Sequence, residues 1–193
     1  MATWLWIVIA VAAVVIVGLA IWAIVRAQRS ATLRERFGPE YDRTLAAQDG
    51  RRDAERELEA RRERRDRLEI RPLSSTARDR YTTMWMQAQA RFVDDPMGTL
   101  RDADSLVATV MAERGYPMDR FEQRAADISV DHPVVVENYR SAHRIMLASD
   151  EGRSSTDDMR RGIQHYRTLF EDLLDTGDGS QLQKGDGSQR DVG

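Results

Sequence analysis

The chain opens with an unbroken apolar run, ATWLWIVIAVAAVVIVGLAIWAIV from Ala2 to Val25, in which thirteen side chains are Leu, Ile or Val and none is charged. It lacks both the alternation of a half-buried strand and the polar face of a surface helix, so it predicts a helix that is apolar all round. At 1.5 Å per residue its length is roughly 36 Å, against about 30 Å for a bilayer core. The expected element over residues 1–25 is a single transmembrane helix. Trp4 and Trp6 at one end and Trp22 at the other would be the interfacial anchors, with Arg26 and Arg29 beyond them. A cleaved signal peptide fits less well: the start has no Lys or Arg, the run is too long, and Trp22 and Ile24 are poor flanks for cleavage.

The pattern then changes. Leu33, Phe37, Tyr41 and Leu45 recur every fourth position, a thin helical stripe broken at Gly38-Pro39. Asp49-Gly50 marks another break. Residues 51–70, RRDAERELEARRERRDRLEI, carry too few apolar positions for a packed face and do not sustain heptads, which disfavours a coiled-coil seam. Residues 26–71 are therefore expected to form a solvated Arg/Glu helical stalk, with pairs such as Glu57–Arg61 and Glu63–Arg67 in the favourable order. Arg71-Pro72 ends it.

From 72 to 175 apolar positions return at helical spacing, and turn residues divide them into five helices. Thr76-x-x-Asp79 is expected to cap the first, with Tyr81, Met84, Trp85, Ala88 and Phe92 inward. Asp95-Pro96 opens the second, with Leu100, Ala103, Val107, Val110 and Met111 inward and a stop at Gly115. The third runs from about Met118 to Ile128. Asp131 is expected to cap the fourth, with Pro133 in its first turn, although Val134-Val135-Val136 is also compatible with a short strand. Ser155-x-x-Asp158 opens the last, with Met159, Ile163, Tyr166, Leu169, Phe170, Leu173 and Leu174 inward. All five prolines fall at proposed boundaries. Residues 176–193 repeat GDGSQ, are polar and glycine-rich, and are expected to be a disordered tail. The fold class is thus all-α: a transmembrane helix, a stalk, a small soluble bundle over 72–175 and a tail.

Charge sharpens the division. Residues 26–80 hold 16 Arg against 12 acids, while residues 81–193 hold 13 basic against 20 acidic side chains. Arg26, Arg29, Arg34 and Arg36 follow the apolar run and nothing basic precedes it. The positive-inside rule then places the N-terminus outside and the bundle in the cytoplasm, at the inner (plasma) membrane. Acids interleave with the stalk arginines, which argues against nucleic acid as a partner. The chain has no cysteine, so disulfides and thiolate sites are excluded.

Little points to catalysis. No HExxH, GxSxG, Walker loop or GxGxxG is present. The Asp-Gly copies in the tail lack calcium-loop spacing. His132, Glu137 and His143 form the one conceivable metal or enzyme site, though a histidine on an apolar face is more often a hydrogen-bonded core residue. No cofactor is expected. Tyr116-Pro117 and Asp131-His132-Pro133, where polar, aromatic and proline residues meet at helix junctions, are the candidate partner surface.

Several stretches carry a resemblance: Arg34 to Tyr41 (RERFGPEY), Arg91 to Pro96 (RFVDDP), Arg114 to Pro117 (RGYP), Phe121 to Asp127 (FEQRAAD) and Ser129 to Pro133 (SVDHP). Together they resemble an uncharacterised family of bacterial proteins with one N-terminal membrane segment and a soluble helical region. The likeness covers most of residues 1–175. It implies that architecture and no activity. The reading that follows is a non-enzymatic scaffold or adaptor, concentrating a protein partner or a second copy of itself at the lipid bilayer. The alternatives are a helical enzyme or metal-dependent domain around His132, Glu137 and His143, and an envelope-facing domain of inverted topology.

Overall fold

The computed structural model describes residues 2–175, and the side chains of all of these except 2, 3, 5–14, 25–27 and 29. The described residues are all-α, with no strand among them. The elements are α1 (Ala2–Phe37), α2 (Pro39–Ala47), α3 (Arg51–Asp66), α4 (Ser75–Ala90), α5 (Pro96–Arg114), α6 (Phe121–Asp131), α7 (Val136–Asp150) and α8 (Thr156–Asp175). They fall into two compact units, Met1–Glu59 and Ala60–Gly193, and the division lies inside α3. The expected tail, 176–193, lies outside the described residues.

Among the described residues no helix is long and apolar enough to cross a membrane. That corrects the expectation of a transmembrane, single-pass helix over residues 1–25. The first element does not end where the arginines begin. It runs as one 36-residue helix to Phe37, and its last turns are amphipathic, with Ser30, Leu33 and Phe37 buried. Gly38 then breaks the helix and Pro39 opens α2, whose Tyr41 and Thr44 are buried. The predicted stripe of Leu33, Phe37 and Tyr41 is thus an inward face, with Leu45 at its half-buried edge.

Glu55 ties the first unit together. Its Oε1 accepts from Ser30 Oγ of α1 (2.5 Å), Tyr41 OH of α2 (3.0 Å) and Arg51 Nε of α3 (2.8 Å). Burial pushes the Glu55 carboxyl up, but the bonds from Ser30, Arg51 and Tyr41 outweigh it and hold the group below the usual carboxylate range. The same contacts, with burial first, push the Tyr41 phenol up.

A uniformly solvated stalk over 26–71 is therefore not what forms. Ala54 and Leu58 are fully buried. In the second unit Arg64 Nε donates to the buried Asp127 (2.8 Å), and Arg65 Nε reaches both oxygens of Asp131 (2.7 and 2.8 Å). The end of α3 therefore belongs with the second unit, and the division lies at 59/60, where Arg71-Pro72 and the return of apolar positions suggested 71/72.

In the second unit α8 lies against α5 and α7, and α4 lies against α5. Ala77, Tyr81, Trp85 and Ala88 form the inner face of α4, at spacings of four, four and three residues; Met84 is exposed. Its cap is Ser74, whose Oγ accepts from Ala77 N (3.1 Å), so the helix starts before the Thr76 box that the sequence suggested. Asp95 caps α5 through Gly98 N (2.8 Å) as expected. At α8, Ser155 and Asp158 exchange the two bonds of a capping box. The core joins Leu100, Val107, Val110, Met111, Ile128, Tyr139, Tyr166, Leu169 and Leu173, and the Trp85 and Phe170 rings stack at 4.7 Å between α4 and α8.

The junction of α6 and α7 departs from expectation. Asp131 is the last residue of α6 and not an N-cap, and Val134-Val135-Val136 is a turn entering α7 and not a strand. The His132 carbonyl accepts from Val135 N and Val136 N, which tightens the turn and leaves no extended segment.

Candidate functional site

The most elaborate polar arrangement lies where α5, α6 and α8 end. Gly115 makes it possible. Its φ of 97° is left-handed, and Tyr116 N and Gly115 N close the end of α5 on Met111 O and Ala112 O, both at 3.0 Å. A Cβ there would also come within 2.5 Å of the Glu69 carbonyl, so only glycine lets the 69–71 segment lie alongside. Arg71 N then bonds Arg114 O (2.9 Å).

That turn sends Arg114 and Tyr116 inward. Arg114 Nη1 donates to Leu173 O of α8 (3.0 Å) and faces His132 Nε2 at 3.4 Å. His132 Nδ1 meets the Asp172 carboxylate. A guanidinium only donates, so Nε2 presents its lone pair and Nδ1 carries the proton toward Asp172. Tyr116 OH donates to Asp131 Oδ2 (2.7 Å), the carboxylate that also holds Arg65. Burial first, and then the Asp131 charge and hydrogen bond, push the Tyr116 phenol far up.

This geometry answers the partner-surface expectation for Tyr116, Pro117, Asp131, His132 and Pro133. Tyr116 and His132 are each 3% exposed and Asp131 is spent on Arg65 and Tyr116; Pro117 and Pro133 are half-buried. The junction fastens three helix ends through these contacts, with Tyr116 and His132 on its inner side. His132 does have a carboxylate on Nδ1, the arrangement that orients a general base. Its other nitrogen, however, faces a guanidinium inside the fold, so the ring serves as a connector.

His132, Glu137 and His143 are not drawn into one site. Glu137 pairs with Arg144 (3.0 Å) and Arg140 (3.6 Å) on its own helix. His143 stacks on Phe121 with ring centroids 3.6 Å apart and planes 10° from parallel. Burial pushes its imidazole below the usual histidine range. Among the described residues no group of three or more His, Asp or Glu side chains is placed to hold a metal ion. Tyr166 OH donates to Asp104 (2.7 Å) in the core of the second unit, and His165 Nδ1 contacts Asn138 Oδ1 at 2.7 Å.

Sequence reasoning missed Arg114, Asp172, Arg65, Asp104 and Glu55. None belongs to a spaced motif, and apart from Arg51, four residues before Glu55, their partners lie 14 to 66 residues away. Only the left-handed Gly115 signalled that the residues around it are placed with care.

Of the proposed membrane anchors, Trp4 is 73% and Trp22 57% exposed; Trp6, Arg26 and Arg29 fall outside the described side chains. Between them Val15, Ile16, Val17, Leu19, Ile21 and Ile24 are all more than half exposed. The second unit also carries shallow grooves. One, of about 230 Å³, runs between α4 and α5 past Met84, Ala88, Leu106 and Thr109; another, of about 240 Å³, lies between the end of α4 and α8.

The fold and this junction define the class: an all-α protein of two compact helical units, the larger one fastened by buried polar contacts. No protein-family model, curated protein or solved structure matches the chain.

Proposed function

We propose that the chain is a non-enzymatic scaffold or adaptor that concentrates a protein partner, or a second copy of itself, at the cytoplasmic face of the inner membrane. One observation carries this reading. From Val15 to Ile24 the described side chains of α1 are apolar and exposed in succession. A run of that kind has to be covered, and a patch of this size marks contact with lipid or with another protein. Arg34 and Arg36 follow in the chain and suit the anionic cytoplasmic leaflet. Tethering raises the effective concentration of whatever binds without adding a contact. The bundle's polar junction residues are used to hold helix ends, which suits a rigid platform.

The test compares the full-length wild type with the Val17→Asp/Ile21→Asp variant in cells. The wild type is expected in washed membranes and to give discrete crosslinked species there. The variant should move to the supernatant and lose those species while the second unit keeps its thermal transition. Equal membrane content and equal crosslinks in both proteins would reject the reading.

A further inference from the structure

The groove of about 240 Å³ between the end of α4 and α8 is lined by Gln89 and Phe92 on one side and by Arg160, Ile163, Gln164 and Arg167 on the other. The four α8 residues are one stripe of the helix, at i, i+3, i+4 and i+7. Ile163 is 6% exposed and forms an apolar floor with Phe92. The Arg160 guanidinium sits 5.7 Å from the Phe92 ring centroid. Arg160 and Arg167 stand two turns apart, roughly 10 Å along the axis, and no carboxylate lines the groove.

Both arginines already have partners, but weak ones. Arg160 pairs with Asp157 and Arg167 with Glu171 (2.6 Å), each on the same helix and with more than half of every side chain in solvent. Exposed same-helix pairs of this kind contribute little and exchange readily. The adjoining Val93, in the Arg91-Phe92-Val93-Asp94 turn that the sequence singled out, is 88% exposed. Two replaceable guanidiniums flanking an apolar floor, with a bare valine next along the chain, call for an apolar side chain between two carboxylates.

We propose that this groove docks a short acidic amphipathic helix of a partner protein, its apolar side chain against Phe92 and Ile163 and its carboxylates on Arg160 and Arg167. Charge complementarity is the argument for that occupant. A nucleic acid would also find arginine and an aromatic ring here. However, residues 81–193 hold 20 acidic against 13 basic side chains, a field that repels a long polyanion while leaving a local pair of arginines open to a short acidic segment. The inference deepens the adaptor reading by naming the kind of partner, and rests on it only for there being one; binding at the groove needs no membrane.

The experiment uses the full-length protein and a synthetic helical peptide with glutamates two turns apart and Leu and Phe between them. The control peptide has lysines in place of the glutamates. Saturable binding of the glutamate peptide is expected, with shifts at the Ile163 methyls, absent with the lysine peptide. Arg160→Glu/Arg167→Glu should weaken binding by roughly tenfold or more, as reversal of steering and contact charges does, and Arg101→Glu should leave it unchanged. The proposal is overturned if the glutamate peptide does not bind, if the lysine peptide binds as well, if reversal has no effect, or if oligothymidylate takes the site in preference. The Val17→Asp/Ile21→Asp variant should bind the peptide like the wild type, so failure of membrane attachment and failure of the groove are separate results.

Discussion

Glu55 and His132 show how single side chains hold this protein. Glu55 joins three helices of the first unit through one oxygen, and its folded acidity is shifted below the ordinary value of 4.5. A carboxyl depressed in the folded state stabilises fully above its unfolded value, and the contribution is lost as pH falls through the folded value. Glu55→Gln should therefore cost under about 1 kcal/mol at neutral pH. The difference from wild type should fade once the solution is more acid than the usual carboxylate range. Hydrogen exchange of α2 amides across pH reads this, and a pH-independent difference would contradict it. At His132, the contacts with Arg114 and Asp172 place the acceptor at Nε2 and the proton at Nδ1. Long-range nitrogen–proton correlation at neutral pH should show Nε2 as the unprotonated nitrogen; the opposite tautomer would refute the connector role. The sequence singled out His132 for the wrong role and passed over Glu55, because the partners that define both, Asp172 for one and Ser30 and Tyr41 for the other, lie far along the chain.

At the scale of elements, α8 depends on a close approach. A Cβ on Gly162 would stand 2.8 Å from Leu100 Cδ1 and 3.1 Å from Ile145 Cγ2, between α5 and α7. Leu100 is fully buried and has little room to yield. Overpacking costs typically 1–3 kcal/mol, against about 1 kcal/mol gained from the helix preference of alanine over glycine. Gly162→Ala should therefore be destabilising by about 1 kcal/mol in urea denaturation, and less so in a Leu100→Ala background. A stabilised single variant would show that α8 does not approach so closely. What was legible at this scale was local. The Asp95-Pro96 cap, the Gly115 stop, the Ser155–Asp158 box and the inner stripe of α8 are each written within a turn or two. The end of α3 was misjudged because Arg64 and Arg65, read beside the Glu and Asp of their own helix, find Asp127 and Asp131 on α6. The start of α7 was misplaced because Asp131, a good cap by composition, is taken by Arg65 and Tyr116.

At the scale of the whole molecule, the sequence suggested a linear order of membrane segment, stalk, bundle and tail, whereas the described residues form two compact units that divide within α3. The long first helix and the burial of Leu33 and Phe37 change what the apolar run belongs to: it is the leading part of an element that ends inside a packed unit. The exposed side chains from Val15 to Ile24 are the feature on which the proposed function rests. The most direct test of membrane association is flotation of the purified full-length protein with vesicles containing anionic phospholipid, compared with Val17→Asp/Ile21→Asp. The account predicts that the wild type rises with the vesicles and withstands a high-salt wash, while the variant stays at the bottom of the gradient. A wild type that stays at the bottom, or a variant that floats equally well, would contradict it.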